Sequence, residues 1–97
     1  MNFFKPLRDR AEIKEKEYRA IYNVESGTPV LACASGRVED IGINDNNSKW
    51  VVLIHNGGYR SYYGNLNNTF VQMGQNIVDE VLGLSGNTLD FEVGKRS

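Results

Sequence analysis

Residues 49–66 read KWVVLIHNGGYRSYYGNL, from Lys49 to Leu66. Val51-Val52-Leu53-Ile54 is a continuous aliphatic run without polar alternation, so Lys49 to His55 predicts a strand covered on both faces, at the centre of a sheet. Asn56-Gly57-Gly58 follows at once, and these residues tolerate positive φ, so the chain is expected to reverse there into a second strand, Tyr59 to Gly64. A β-hairpin therefore anchors the reading.

Outward from this hairpin the same punctuation continues. All ten glycines lie beyond Asn23 and, with the asparagines, cut the chain into short apolar segments, the pattern of an all-β domain. Tyr18 to Val24, Val30 to Ala34, Gly36 to Gly42, Val81 to Leu84 and Thr88 to Val93 read as further strands. Asp45-Asn46-Asn47 makes the turn before Lys49. Leu89, Phe91 and Val93 alternate with Asp90 and Glu92, which sets one face of the last strand toward a core. Before Asn23 the composition differs. Lys5 to Arg19 holds six Lys or Arg and four Asp or Glu and no glycine, with a helical spacing between Glu12 and Lys16. Residues 1–19 are expected to form a short helical or irregular arm, and residues 20–97 a small antiparallel sheet or sandwich.

Composition narrows the chemistry. Ninety-seven residues support one core and no second domain. Eleven basic and twelve acidic side chains leave a net charge of −1, with neither sign in a long block, which argues against nucleic acid as a partner. The single histidine, His55, and single cysteine, Cys33, exclude a multi-His or multi-Cys zinc site, an internal disulfide and dithiol redox chemistry. No stretch approaches the ~20 apolar residues of a membrane-spanning helix, and Met1 to Pro6 lacks the pattern of a secretory signal.

Four segments in order then resemble a known family. "GTPV" (Gly27–Val30) followed by "LACASGRVEDIG" resembles the "GTPV-A-GxV" opening of the β core in zinc endopeptidases of the LytM or lysostaphin type, the M23-like peptidases. "VVLIHNGGYRSYYGNL" (Val51–Leu66) is similar to "VxIxHGxGYxTxYxHL", "VQMGQNIVDEVLGLSG" (Val71–Gly86) to "VxxGQxVxxGxxIGxxG", and "LDFEV" (Leu89–Val93) to the closing "LHFEV". Glu80 stands where the family has a glycine, and one residue is missing before Gly83. The resemblance implies the family's β fold, of the duplicated hybrid motif type. A sugar-phosphotransferase β fold shares some of this glycine rhythm, but its chemistry also needs histidines.

The resemblance further implies where zinc and catalysis would sit, because such enzymes hold zinc through an HxxxD motif and the second His of an HxH, and the metal activates a water. Those metal positions read Glu17, Ile21 and Asp90 here; the two catalytic histidines read Thr88 and Asn65. Isoleucine cannot bind a metal. The expectation is a degenerate scaffold with no cofactor and no catalysis. Glu17, Asn65 and Asp90 are oxygen donors that would make a weak hard-cation site only if they converged.

His55 falls on a framework position and reads as a hydrogen-bonded turn residue rather than a catalyst. Cys33 reads as a small core residue rather than a nucleophile, since no second histidine exists to activate it. Trp50, Tyr59, Tyr62 and Tyr63 read mostly as core or sheet aromatics, with one or two exposed rings available to a sugar or a protein. The expected function is a structural or adaptor module in a phage tail, virion or cell-envelope assembly. Its expected partner is a protein; peptidoglycan binding or residual metal-dependent wall hydrolysis is the alternative.

Overall fold

A computed structural model describes residues 2–95. The strands are β1 (Phe3–Phe4), β2 (Glu12–Ile13), β3 (Tyr18–Asn23), β4 (Pro29–Leu31), β5 (Gly36–Ile43), β6 (Lys49–Ile54), β7 (Tyr59–Thr69), β8 (Asn76–Ile77) and β9 (Val81–Lys95). β1 and β2 pair with each other, and the others form one seven-stranded antiparallel sheet in the order β3-β9-β7-β6-β5-β8, with β4 also paired to β9. The fold is all-β, as the glycine punctuation predicts.

The β6–β7 hairpin forms as expected. Gly57 and Gly58 take φ of 78° and 80°, and the His55 N–H donates to the Tyr59 carbonyl at 2.8 Å, closing the turn between β6 and β7. β6 is central in the sheet, but it is sealed on one face only. Val51 and Leu53 are fully buried, while Val52 and Ile54 are half-buried on the opposite face. The expectation that both faces are covered is therefore corrected: Val52 and Ile54 lie on an open face, and Val52 lines a groove there.

Two predicted strands merge into one. Val81 to Leu84 and Thr88 to Val93 are the two halves of β9, whose first half pairs with β4 and second half with β3. At the changeover, Ser85 exchanges backbone hydrogen bonds with the 27–28 turn, from the Gly27 N–H at 2.8 Å and to the Thr28 carbonyl at 2.9 Å. The backbone of β9 is thus satisfied without a break, and glycine and asparagine at 86–87 mark a change of neighbour rather than a turn. The short strand β8 also escapes the sequence pattern, since two residues carry no periodicity.

The helical version of the arm does not form. Phe3 stands opposite Ile13 in the β1–β2 pair, and both are buried, at 5% and 7% exposure. Both side chains reach the core because the chain doubles back at residues 5–11, where the Lys5 N–H donates to the Ala11 carbonyl. Burying two large apolar side chains is worth several times the few tenths of a kcal/mol offered by a helical Glu–Lys pair. The hairpin is stitched to the strand beside it: Phe4 N–H to the Cys33 carbonyl, Leu31 N–H to the Pro6 carbonyl, and the Arg10 guanidinium to the carbonyls of Lys5 and Ala32.

The core lies on one face of the sheet. Val93, Phe91 and Leu89 of β9 share that face with Ser61 and Tyr63 of β7 and with Leu53 and Val51 of β6; Val93–Ser61–Leu53 and Phe91–Tyr63–Val51 lie directly in register. Their neighbours one residue along point to the other face, which no other element covers among the described residues.

Candidate functional site

The open face is ordered in rows set by strand register. One row runs Arg19, Glu92, Tyr62, Val52, Asp40 across β3, β9, β7, β6 and β5; beside it run Ile21, Asp90 and Gly64. Together with Glu17, Glu39 and Arg60, the first row walls a groove of about 790 Å³. Charge on this face is mixed. Arg60 grips Glu39 through Nε at 2.6 Å and Nη2 at 2.9 Å, and that hydrogen bonding holds the Glu39 carboxyl below its ordinary range.

At one end of the groove lie four of the positions expected to have carried the chemistry. Ile21 pairs directly with Asp90 and is 68% exposed. Asn65 sits at a register shift in β7 with φ of 61°, a conformation asparagine tolerates better than most residues. The extra residue turns its side chain toward β9, where Nδ2 donates to the Thr88 carbonyl at 3.0 Å and to Thr88 Oγ1 at 2.9 Å. The register thus assembles Ile21 with Asp90 and Asn65 with Thr88. Glu17 does not join them. It lies on the same face but four residues along the chain from Ile21, about 13 Å at strand rise, beside Gly94.

Zinc does not fit this donor set. Its bonds are about 2.0–2.3 Å long, so ligands must converge on one point. Ile21 offers no donor, Asn65 and Thr88 offer only neutral oxygens rather than the thiolate, imidazole or carboxylate that zinc takes, and Glu17 is a groove's length away, which leaves the Asp90 carboxylate. Among the described residues no group of three or more His, Cys, Asp or Glu is arranged to hold a metal ion.

The four aromatic candidates divide by face. Tyr63 is fully buried, so it is no part of a binding surface; it follows Tyr62 in a strand, and adjacent residues point to opposite sides. Tyr59 lies on the core side, its ring 5.2 Å from Phe3 and under the Lys95 ammonium at 5.8 Å. Trp50 and Tyr62 share the open face, centroids 6.5 Å apart and planes within 29°. Each roofs a glycine: a Cβ on Gly42 would collide with the Trp50 ring, and one on Gly64 would collide with the Tyr62 ring and hydroxyl. Burial first, then the charges of Asp90 and Glu92, raise the Tyr62 hydroxyl above its ordinary range.

Beneath the groove a polar chain runs through the core, built from His55, Ser61 and Tyr63, which fall on the H, T and Y positions of the Val51–Leu66 motif, and from Ser35 and Cys33, which no motif marks. His55 Nδ1 faces the Ser35 carbonyl at 2.7 Å, which can only accept, so Nδ1 carries the proton and Nε2 accepts from Ser61 Oγ–H at 2.8 Å. Ser61 Oγ accepts from Tyr63 O–H at 2.8 Å, and Tyr63 accepts from the Cys33 N–H at 2.9 Å. Cys33 Sγ lies 3.8 Å from His55 Nε2. A histidine therefore is within reach of Cys33, contrary to the reading from the histidine count alone. Its lone pair is taken by Ser61, and burial pushes the Cys33 thiol up, away from the reactive thiolate.

A seven-stranded antiparallel sheet with one face sealed and one open defines a domain of the lysostaphin or LytM type of fold. The chain belongs to peptidase family M23, whose sequence profile matches residues 16–95. It is 36% identical over 69 residues to an uncharacterized metalloprotease of Haemophilus influenzae, a match covering 69% of this chain and 14% of that protein. Among solved structures, a putative M23 peptidase from Pseudomonas aeruginosa superposes with a TM-score of 0.72 at 25% identity, over 94% of this chain and 44% of that one. The catalytic domain of lysostaphin from Staphylococcus simulans gives 0.68 at 22% identity, over 94% and 75%.

Proposed function

We propose that this domain is a non-catalytic module that binds a protein partner across its open face, as an adaptor or structural part of a larger assembly. One observation carries the reading: the Asn65 amide is bound to Thr88 while Ile21 faces Asp90, so the positions for catalysis and metal are filled by side chains that satisfy one another or have no donor. The groove beside them is intact and lined with charged and aromatic groups. A scaffold that has exchanged its metal donors while keeping its groove is suited to holding a chain rather than cutting one. The Trp50–Tyr62 pair favours peptidoglycan binding without cleavage as the second reading, since flat, partly exposed rings also stack on sugars. The deciding experiment supplies the purified chain with zinc, then measures metal per chain and amine release from purified cell walls. Substoichiometric zinc and no release above a metal-free control are expected; one zinc per chain with chelator-sensitive release would overturn the proposal.

A further inference from the structure

The Trp50–Tyr62 floor has acidic walls. Glu92 is the direct cross-strand neighbour of Tyr62, Asp90 is the neighbour of Gly64 on which the Tyr62 ring rests, and Asp40 lies across Val52 on the far side. The floor itself is held rigidly, because each ring lies against a glycine backbone that leaves it no room to sink. The nearby cations are largely committed elsewhere. Arg60 is paired with Glu39, and Lys95, which borders the groove, holds its ammonium over the Tyr59 ring. Arg19 faces Glu92 across β3 and β9, but no ion pair within 4.0 Å joins them among the described residues. Carboxylates beside an aromatic face are complementary to a delocalised organic cation: the ring quadrupole attracts the charge, the carboxylates accept its hydrogen bonds, and the alkyl stem lies over apolar surface.

We infer that the groove seats a cationic side chain of an extended peptide segment, arginine in preference to lysine, with its head over Tyr62 against Asp90 and Glu92 and its stem over Val52 and Trp50. Arginine is preferred because a planar guanidinium both stacks on a ring and bonds a carboxylate through two nitrogens, while a lysine ammonium is more strongly hydrated. This inference rests on the reading of the open face as a protein-binding surface and names the chemistry it selects.

Trp50 is the only tryptophan in the chain, so its fluorescence reports on this floor directly. The test titrates the full-length chain with the capped pentapeptide Gly-Gly-Arg-Gly-Gly at millimolar concentration, beside versions carrying Lys, Gln or Glu at the centre, and with a chitin tetrasaccharide. A saturable change with the arginine peptide is expected, weaker with lysine and absent with glutamine and glutamate. Affinity should fall at least tenfold in the Asp90→Asn/Glu92→Gln double variant and in Tyr62→Ala, and severalfold on raising salt. Thermal melts confirm that the variants are folded; the carboxylate pair lies outside the core, so a shortfall in binding is not a shortfall in folding. Equal binding of the arginine and glutamine peptides overturns the cation while leaving the groove a peptide site. A preferential response to the tetrasaccharide overturns it in favour of a sugar floor, and no response to any peptide overturns it outright. None of these outcomes is the zinc-dependent wall cleavage that would overturn the proposed function.

Discussion

Ser61 is required from two sides: His55 Nε2 needs its hydroxyl proton and Tyr63 needs its lone pair, and all three groups are buried. Ser61→Ala leaves both buried neighbours without that partner, and is expected to cost about 1–3 kcal/mol in chemical denaturation. A loss below a few tenths would mean that water replaces the hydroxyl. The same histidine gives the stability a direction in pH. Desolvation holds the imidazole below its ordinary 6.5, outweighing the Ser35 hydrogen bond that pulls it up. The unfolded chain therefore binds a proton at higher pH than the folded one, so stability is at full value above the unfolded pKa and declines as pH falls through it toward the folded value. The urea midpoint should drop between about pH 7 and pH 5, and His55→Gln should flatten that drop. Glu39 titrates in a separate, lower window, because Arg60 holds it below its ordinary 4.5. An identical pH slope in wild type and His55→Gln would remove His55 as the source.

At the scale of elements, the arm shows what local pattern can and cannot specify. Its charge spacing suits a helix, yet the decisive residues are Phe3 and Ile13, ten positions apart, whose common destination in the core is set by distant strands. Phe3 packs edge-on to His55 at 5.4 Å and against Tyr59 at 5.2 Å, so the arm covers the turn end of the β6–β7 hairpin. Phe3→Ala should destabilise the domain by about 3–5 kcal/mol, the range for truncating a buried phenylalanine, and a urea titration reads it. A change under 1 kcal/mol would mark the arm as an appendage. The β6–β7 hairpin is legible in the sequence because glycine turn and aliphatic run are adjacent in the chain. The unity of β9 is not, because its two halves are distinguished by which neighbour they pair with, a property of β3 and β4. Likewise the pairing of Ile21 with Asp90 follows from family spacing, while the separation of Glu17 from them depends on β3 running straight past β9, which no spacing reveals. The split between Tyr62 and Tyr63 is legible too, since alternation along any strand sends adjacent side chains to opposite faces.

For the whole molecule, the division between a sealed face and an open one separates the residues that build the fold from those at the family's expected metal and catalytic positions. Ile21 and Asp90 lie on the open face, and substitutions at such positions usually move stability by no more than about 0.5 kcal/mol. Core residues such as Leu89 and Phe91, one position along, have no such freedom. The same geometry limits what metal site can be built on this face. Ile21→Asp with Asp90→His sets two donors on directly paired positions, whose Cβ atoms stand about 4.5–5.5 Å apart, close enough to share one zinc ion. Adding Glu17→His supplies a third donor by family position, but in the bend before β3, about 13 Å along the chain, where it cannot reach the same ion. Zinc affinity of the triple variant, measured by competition with a chelating dye, should therefore stay within about threefold of the double variant, whereas a third converging ligand would raise it by several powers of ten. Such a rise would show that the start of β3 can leave its register with β9 and bring residue 17 to the metal, and the path of residues 17–19 beside Glu92 and Gly94 would then be one of two conformations rather than the fixed wall of the groove.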